Sequence, residues 1–235
     1  QALTGQQAHI LVVVADQEDT LSDIARRFNV GYEEIVRANP GVDPWLPGAG
    51  REIIVPSQFI LPNAAREGVV INSAAMRLFY FPQRKAGEKQ AVYTHPIGIG
   101  KVGWKTPEGS TKVTRKTKNP TWRPGPGVRA EHKENGEILP AVVPPGPDNP
   151  LGTRAMYLGW PQYLIHGTNK PYGVGLRSSH GCIRLYPEDV EAIYENGVLK
   201  LKQPVNLPER AEVHVTIEAP NLGRTPLRRK LLELR

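Results

Sequence analysis

The first 56 residues carry helical hydrophobic patterns between two strand-like runs. Leu21, Ile24 and Phe28 recur at the spacing of one helical face, directly after the sequence Thr-Leu-Ser-Asp at 20–23. That tetrapeptide is a capping box, which marks a helix start. Asn29 follows the pattern and is suited to the left-handed conformation that ends many helices. The sequence therefore predicts a short amphipathic helix between residues 20 and 29.

A second helix is predicted over 32–38, because apolar residues share one face and an Asn-Pro pair at 39–40 ends the pattern. Runs rich in Val and Ile stand before and after the two helices, at 10–14 and 52–55. Such runs are typical of strands. The predicted order of elements is thus strand, helix, helix, strand.

Strand patterns dominate from residue 69 onward. Runs at 69–72, 76–81 and 97–100 predict a sheet, and an apolar run that ends at His166 predicts a buried strand. The remaining predicted elements are a strand end at 92–93, a helix over 188–194 and a closing strand over 213–217.

Composition indicates a globular protein large enough for one core and a small module. Of 235 residues, 39% are hydrophobic and 23% are charged, and the longest strongly apolar run, 10–15, is too short to span a membrane. The net charge is +7, with most of the excess over 101–135. That segment lacks interleaved aromatic residues and any nucleic-acid motif. An anionic cell-wall polymer, or simple solvation of a basic face, is therefore preferred to nucleic acid.

The single cysteine lies in a sequence that favours catalysis. Cys182 follows Ser179, His180 and Gly181 on a polar, glycine-containing loop, and His166 ends the predicted strand. A thiol needs a base or a positive charge nearby to act as a nucleophile at neutral pH. A glycine before the nucleophile also leaves amides free to face an oxyanion. We therefore expect a nucleophilic cysteine.

Other interpretations stay open from the residues alone. The cysteine can be an inert, buried thiol with two incidental histidines, although a polar loop is a poor place for a core side chain. A zinc site lacks a fourth ligand at suitable spacing, and the glycines of 98–109 are not followed by Gly-Lys-Ser/Thr. We expect neither a metal nor another cofactor.

His-Gly at 166–167, followed by Ser-His-Gly-Cys-Ile-Arg-Leu at 179–185, resembles the signature of the L,D-transpeptidase catalytic domain. The resemblance implies a mostly β, sandwich- or barrel-like domain. It implies that Cys182 attacks the carbonyl of the third residue, a diamino acid, in a peptidoglycan tetrapeptide stem. D-Alanine then leaves, and an amine of another stem or of a lipoprotein lysine takes the acyl group. His166 matches the general base, and Gly167 the residue whose carbonyl orients it.

The same resemblance assigns the positions around the nucleophile. The backbone amides at Gly181 and Cys182 match oxyanion donors. Arg184 matches a position that holds a substrate carboxylate, for which a planar guanidinium is suited. An ion pair between this arginine and Glu188 or Asp189 is the alternative.

Two neighbours of the nucleophile and one long segment complete the predicted site. His180 has either a proton-transfer role or a structural one, and Ser179 is expected to make hydrogen bonds within the loop. The segment 119–150 holds eight prolines and little periodicity, which predicts a long irregular loop. Because it precedes the His166 strand, we expect a lid or groove wall over Cys182.

Residues 19–28, 35–40 and 46–56 resemble a LysM module. The resemblance implies binding to glycans that contain N-acetylglucosamine, through the loops beside the helices. The implied contacts are Asp19, Thr20, Asn39 and Gly41. An appendage that does not bind glycan is the alternative.

These observations predict an α+β protein: a small βααβ module followed by a mostly β catalytic domain with short helices. The expected divisions are a tail at 1–8, a LysM module at 9–56, a linker at 57–66, a catalytic domain at 67–217 and a basic tail at 218–235. We expect the protein to act on periplasmic peptidoglycan, with an export signal outside this chain. An L,D-carboxypeptidase, an amidase or a non-catalytic wall-binding protein are the alternatives.

Overall fold

The computed structural model describes residues 11–83, 87 and 90–194. The strands are β1 (Leu11–Val14), β2 (Glu52–Val55), β3 (Gly68–Asn72), β4 (Arg77–Phe81), β5 (Tyr93–Pro96), β6 (Ile99–Gly100), β7 (Val113–Lys118), β8 (Arg154–Leu158), β9 (Leu164–His166), β10 (Arg177–Ser179) and β11 (Ile183–Arg184). The helices are α1 (Leu21–Arg27), α2 (Tyr32–Ala38), α3 (Pro126–Glu134) and α4 (Pro187–Tyr194). The predicted closing strand and both predicted tails lie outside the described residues. No helix in the described part is long and apolar enough to cross a membrane.

The N-terminal elements form the predicted βααβ unit. Strands β1 and β2 pair antiparallel, and both helices pack against them. The capping box is present, since the Thr20 hydroxyl accepts from the Asp23 N–H at 3.1 Å and the Asp23 carboxylate accepts from the Thr20 N–H at 3.1 Å. Asn29 has φ of 55°, as expected for the residue that ends α1. The buried core includes Val13, Leu21, Ile24, Ile35, Ile53 and Val55.

The rest of the described chain is built from β-sheets around a second core. Strands β3, β4 and β5 form an antiparallel sheet, and β11, β9, β8 and β7 form a mixed sheet in that order. Leu78 of the first sheet and Met156 of the second belong to one buried apolar cluster, together with Val190 of α4. The two sheets and α4 therefore enclose one core, and the predicted mostly β architecture is confirmed.

Strands β9 and β11 are the elements that build the site. They run parallel, with Ile165 beside Ile183 and His166 beside Arg184. Both isoleucines point into the core. Because side chains alternate across a strand, His166, Arg184 and the preceding Cys182 face the opposite side. The prediction that His166 ends a strand next to the cysteine loop is confirmed.

The prediction of an irregular loop throughout 119–150 is wrong, because α3 lies within it. Gly125 is the N-cap and a proline occupies the first turn, where its missing N–H costs nothing. None of the side chains of α3 is buried, so hydrophobic periodicity gave no signal for this helix. Outside α3 the segment is folded back on itself by a bridge between Trp122 and Val143.

Asn149 fixes the base of the same segment. Its side chain is fully buried and donates to Pro120 O at 2.8 Å and to Pro144 O at 3.0 Å, while its own oxygen accepts from the Leu151 N–H at 2.9 Å. These bonds satisfy carbonyls that the prolines leave without neighbouring N–H donors.

The βααβ unit is attached to the β-sheet part, residues 68–194, through Arg77 of β4. The Arg77 side chain is only 2% exposed. Its guanidinium pairs with Glu34 at 3.0 Å, donates to Thr94 Oγ1 at 3.0 Å and to Asn29 O at 3.2 Å, and lies over the Phe59 ring at 3.5 Å. One buried cation therefore joins α2, the turn before it and the chain that follows β2.

The α1–α2 turn contacts the β-sheet part through backbone atoms on both sides. The Tyr32 N–H donates to Val174 O at 3.2 Å. Gly31 and Gly175 touch so closely that a Cβ on Gly175 would lie 2.2 Å from Tyr32 N. Gly175 also has φ of 84°, so the contact requires glycine there, whereas a Cβ at Gly31 would lie a tight 3.0 Å from Gly175 Cα.

Candidate active site

A groove of about 710 Å³ lies on the face of β9 and β11 that points away from the core, and its lining includes Cys182, His166 and Arg184. Residues of the proline-rich segment form part of the opposite wall, among them Trp122, Gly125 and Val128. The structure therefore brings together the predicted nucleophile, the predicted base and the predicted groove wall.

Cys182 carries a free, partly exposed thiol. Its Sγ lies 3.6 Å from Gln162 O, which accepts the S–H, and it receives a backbone hydrogen bond from Leu164. Burial raises the pKa of the Cys182 thiol, while the bond from Leu164 and the nearby charge of Arg184 oppose that shift. The resting group is thus a protonated thiol at neutral pH.

His166 is buried at 3% exposure, and its Nδ1 lies 2.5 Å from Gly167 O. Burial lowers the pKa of His166 to about 3, and the positive charge of Arg184 acts in the same direction. The imidazole is therefore neutral. The hydrogen bond to the Gly167 carbonyl assigns the proton to Nδ1, so Nε2 carries the lone pair of the neutral ring. The Leu151 backbone also bonds to this imidazole.

Hydrogen bonds of the Ser179 hydroxyl stabilise the nucleophile loop, residues 179–182. The hydroxyl donates to Cys182 O at 2.6 Å and accepts from the Gly181 N–H at 3.2 Å. Ser179 is thus a loop hydrogen bonder, as predicted. Because the Gly181 N–H already donates to Ser179, its predicted role as an oxyanion donor requires exchange of that bond, and the role stays a prediction. The Cys182 N–H donates to no oxygen in the described part of the chain.

Thr106 hydrogen-bonds to the nucleophile loop, a contact that was not predicted from the sequence. The buried Thr106 hydroxyl donates to Gly181 O at 2.9 Å and accepts from the Gly100 N–H at 3.0 Å. Gly181 itself has φ of 99°, and a Cβ there would lie 2.7 Å from a Tyr163 ring carbon. The loop geometry therefore depends on glycine at 181 and on a hydroxyl from a distant turn.

Arg184 faces the groove without an ionic partner in the described part of the chain. Glu188 pairs with Arg26 at 2.9 Å, and an Asp189 carboxylate oxygen lies 2.9 Å from His95 Nδ1. The alternative prediction, an ion pair between Arg184 and either carboxylate, is wrong because both carboxylates have other partners. A largely buried guanidinium is thus left for an anionic ligand.

His180 is held by contacts with Glu131 and Trp104. Its Nε2 lies 2.7 Å from a Glu131 carboxylate oxygen, and its ring meets Trp104 edge to face at 4.8 Å between centroids. These contacts favour the structural interpretation of His180. Neither Glu131 nor Trp104 carries a local sequence signal that would connect it with the nucleophile loop.

The predicted glycan contacts of the βααβ unit occupy different environments. Asn39 is 6% exposed, and its side chain bonds to Ile35 O and to both Ile54 O and the Ile54 N–H, each at 2.8 Å. The Asn39 side-chain amide therefore bonds to backbone groups of the core, and the predicted glycan contact at this position stays a prediction. Asp19 pairs with Arg27 at 2.7 Å.

The other two predicted positions lie at the ends of helices. Thr20 caps α1, and Gly41 has φ of 78° in the exposed turn after α2. The loop before α1 and the loop after α2 are adjacent, since the Leu21 N–H donates to Pro44 O at 2.8 Å.

Comparison with known proteins places the chain in a family. The model of the L,D-transpeptidase catalytic domain (YkuD) matches residues 66–214, and the LysM domain model matches residues 16–56. The chain is 45% identical over 194 residues to "Probable L,D-transpeptidase YbiS" of Escherichia coli K12, which covers 82% of this chain and 61% of that protein.

Two further Escherichia coli K12 relatives are similar to a comparable degree. "Probable L,D-transpeptidase YcfS" is 46% identical over 77% of this chain and 57% of its own length, and "Probable L,D-transpeptidase ErfK/SrfK" is 43% identical over 81% and 60%. The chain thus spans about three-fifths of the length of these relatives. With a catalytic-domain match across more than half of its residues, the chain belongs to the YkuD family of L,D-transpeptidase catalytic domains.

Proposed function

We propose that this protein is a peptidoglycan L,D-transpeptidase in which Cys182 is the nucleophile and His166 is the general base. The observation that carries the proposal is the parallel register of β9 and β11, because it turns both side chains toward one groove. The relatives named as L,D-transpeptidases support the same reaction.

In the acylation step, the Cys182 thiol gives its proton to His166 Nε2 as sulfur attacks the amide carbonyl of the third stem residue. A raised thiol pKa and a lowered imidazole pKa mean that the resting pair is neutral, so proton transfer accompanies attack. We propose that the Cys182 N–H, which donates to no oxygen in the described residues, binds the oxyanion. When the C–N bond breaks, the amine of D-alanine takes the proton from His166 and a thioester remains.

In the second step, an amine attacks the thioester and passes a proton to His166. The C–S bond breaks, a new amide forms, and the sulfur recovers its proton. The amine of a second stem is the acceptor we propose, with a lysine of an outer-membrane lipoprotein as the alternative acceptor. If water takes the place of the amine, the same site acts as an L,D-carboxypeptidase or amidase.

Arg184 is proposed to hold a carboxylate of the stem. Its guanidinium lies in the groove with no ionic partner in the described residues, and its burial strengthens any charge pair that it forms. A planar guanidinium binds a carboxylate through two parallel hydrogen bonds, which orients the ligand as well as retaining it.

We also infer that residues 9–56 bind peptidoglycan glycan strands, that 57–66 link them to a catalytic domain over 67–217, and that the protein works in the periplasm, where its substrate lies. The LysM match supports this assignment. The α1–α2 turn is occupied by the catalytic part, whereas the loops before α1 and after α2 lie together at the other end of the helices. Pelleting with purified sacculi, competed by N-acetylglucosamine oligomers, tests it. Absence of pelleting would remove the glycan-binding role.

Mass spectrometry of purified disaccharide-tetrapeptide, incubated with the protein and with Cys182→Ala, tests the catalytic proposal. A cross-linked dimer that forms only with the unsubstituted protein is the expected result. Tripeptide without dimer would instead identify a hydrolase. Unchanged tetrapeptide in both samples, with purified lipoprotein also left unattached, would rule out the transpeptidase reaction.

A further inference from the structure

We propose that Glu131 is a positioning residue that fastens α3 to the nucleophile loop, and that it thereby keeps water from the acyl-enzyme. The second half of this inference rests on the transpeptidase function proposed above. The first half concerns the geometry of the groove and stands independently of the reaction.

The Glu131 carboxylate joins three separate parts of the chain. One oxygen lies 2.7 Å from His180 Nε2, and the other pairs with the Lys101 ammonium. Glu131 belongs to α3, and Lys101 follows β6. His180 lies two residues before the nucleophile Cys182. The Lys101 N–H in turn donates to Ser179 O at 2.9 Å. One carboxylate therefore connects the groove wall with the chain that leads into Cys182, directly at His180 and through Lys101 at Ser179.

The Trp104 ring packs against the backbone of α3. The ring meets His180 edge to face, and a Cβ at Gly127 would lie 2.8 Å from the far edge of that ring. The backbone of α3 thus rests on the indole, and only glycine at 127 permits this approach. The contact limits how closely α3 approaches the loop, whereas Glu131 supplies the attraction.

The remainder of α3 offers little to hold it in place. No side chain of the helix is fully buried, so beyond the Trp104 contact and the half-buried Val128 the helix has little of the apolar packing that usually retains a helix. The His132 bond to Glu137, at 2.7 Å, is local and joins α3 only to the turn that follows it. Elements with few buried contacts open at low free-energy cost. The retention of α3 over the groove therefore depends strongly on the Glu131 contacts.

The charge on Glu131 persists over the relevant pH range. The Lys101 ammonium, with a contribution from His180, holds the pKa of the Glu131 carboxyl below its usual value. The carboxylate accepts from His180 Nε2–H, which fixes the orientation of that ring beside Gly181. Hydrogen bonds to ionised groups are about twice as strong as neutral ones, so an amide cannot fully replace this carboxylate.

A fastened α3 has a chemical consequence for the thioester. Val128 and Gly125 line the same groove as Cys182. When α3 is held down, the groove admits a ligand along its length but restricts bulk water at the sulfur. When α3 lifts, water competes with the acceptor amine, and the product changes from cross-linked dimer to tripeptide.

The test compares Glu131→Gln with Glu134→Gln, a matched control on the same helix whose side chain is exposed. Amide hydrogen exchange over 126–134 and the ratio of tripeptide to cross-linked dimer are measured on the full chain. For Glu131→Gln we expect exchange and the ratio each to rise about tenfold, the effect of losing one charge-assisted bond. The control is expected to match the unsubstituted protein in both, with equal melting temperatures for all three.

The two readouts separate failure of this inference from failure of the proposed function. Unchanged exchange in Glu131→Gln, or an equal rise in Glu134→Gln, overturns the fastening role whatever the products are. Faster exchange with an unchanged product ratio overturns the water-exclusion role. If the unsubstituted protein forms neither dimer nor tripeptide, the transpeptidase proposal fails, and exchange still decides whether Glu131 holds α3.

Discussion

Asn39 of the βααβ unit and Arg184 of the catalytic groove are both largely buried polar side chains, yet their surroundings differ. Asn39 makes three hydrogen bonds to backbone groups of α2 and β2. Arg184 has no ionic partner in the described residues and instead perturbs the pKa values of His166 and Cys182. A polar group satisfied by its own fold contributes stability, whereas one left incomplete is available to a ligand.

The largest effect is expected in the groove that contains Arg184. A substitution there should change activity without changing stability. Cys182→Ala should lower the rate of dimer formation by at least about 10³-fold, because the acyl-enzyme cannot form. Its melting temperature should stay close to that of the unsubstituted protein, since the thiol is partly exposed. Turnover by mass spectrometry and calorimetry measure the two. Residual dimer at the original rate would remove Cys182 from the mechanism.

The next effect concerns the junction between the two parts. Arg77→Met removes a buried cation and leaves Glu34 and Asn29 O without it, so we expect the free energy of unfolding to fall by about 3 kcal/mol. Urea denaturation measures this. The control is Arg37→Met, which breaks the exposed pair with Glu33 and should cost less than about 0.5 kcal/mol. Equal losses in both variants would show that the junction contributes no special stability.

A somewhat smaller loss of stability is expected at Asn39, whose side chain is fully hydrogen-bonded within the fold. Asn39→Ala leaves the Ile54 N–H and the Ile35 carbonyl without their partner, which should cost about 2 kcal/mol. Asn63→Ala, at an exposed position outside any helix or strand, is the control and should change stability little. Sacculus binding per folded molecule should be unchanged in Asn39→Ala. Loss of binding without loss of stability would show that the Asn39 side chain contacts glycan directly.

The smallest effect tests the electrostatic role of Arg184. Because burial raises the pKa of Cys182, its alkylation by iodoacetamide should keep accelerating with pH beyond the point where an ordinary thiol is fully ionised. Arg184→Met removes a charge that lowers that pKa, so alkylation at pH 7.5 should slow about tenfold. Arg177→Met, which removes an exposed cation from neighbouring β10, should leave the rate unchanged. A faster reaction in Arg184→Met would reverse the assigned sign.

The sequence alone predicted those features that depend on neighbouring residues. The Thr20 capping box, the left-handed Asn29 and the strand ending at His166 each follow from local patterns, and the structure contains all three. The contact between Gly167 O and the His166 ring is equally local, since it joins adjacent residues.

The features that were missed depend on residues far apart in the chain. Thr106 reaches Gly181 across 75 positions, and Glu131 reaches His180 across 49. Neither pairing leaves a periodic or spacing signal in the sequence. Helix α3 was missed for a different reason, since a helix without a buried face carries no hydrophobic period.

The Gly31–Gly175 contact bears on what the proposed linker, residues 57–66, has to do. A short tether between two parts keeps each at an effective concentration of about millimolar or more near the other. At that concentration, an interface too weak to hold two separate proteins together is enough to keep these two parts docked. The orientation of the LysM loops relative to the groove is therefore set by the glycine contact and Arg77, and lengthening the linker would lower occupancy of the docked state without changing its geometry.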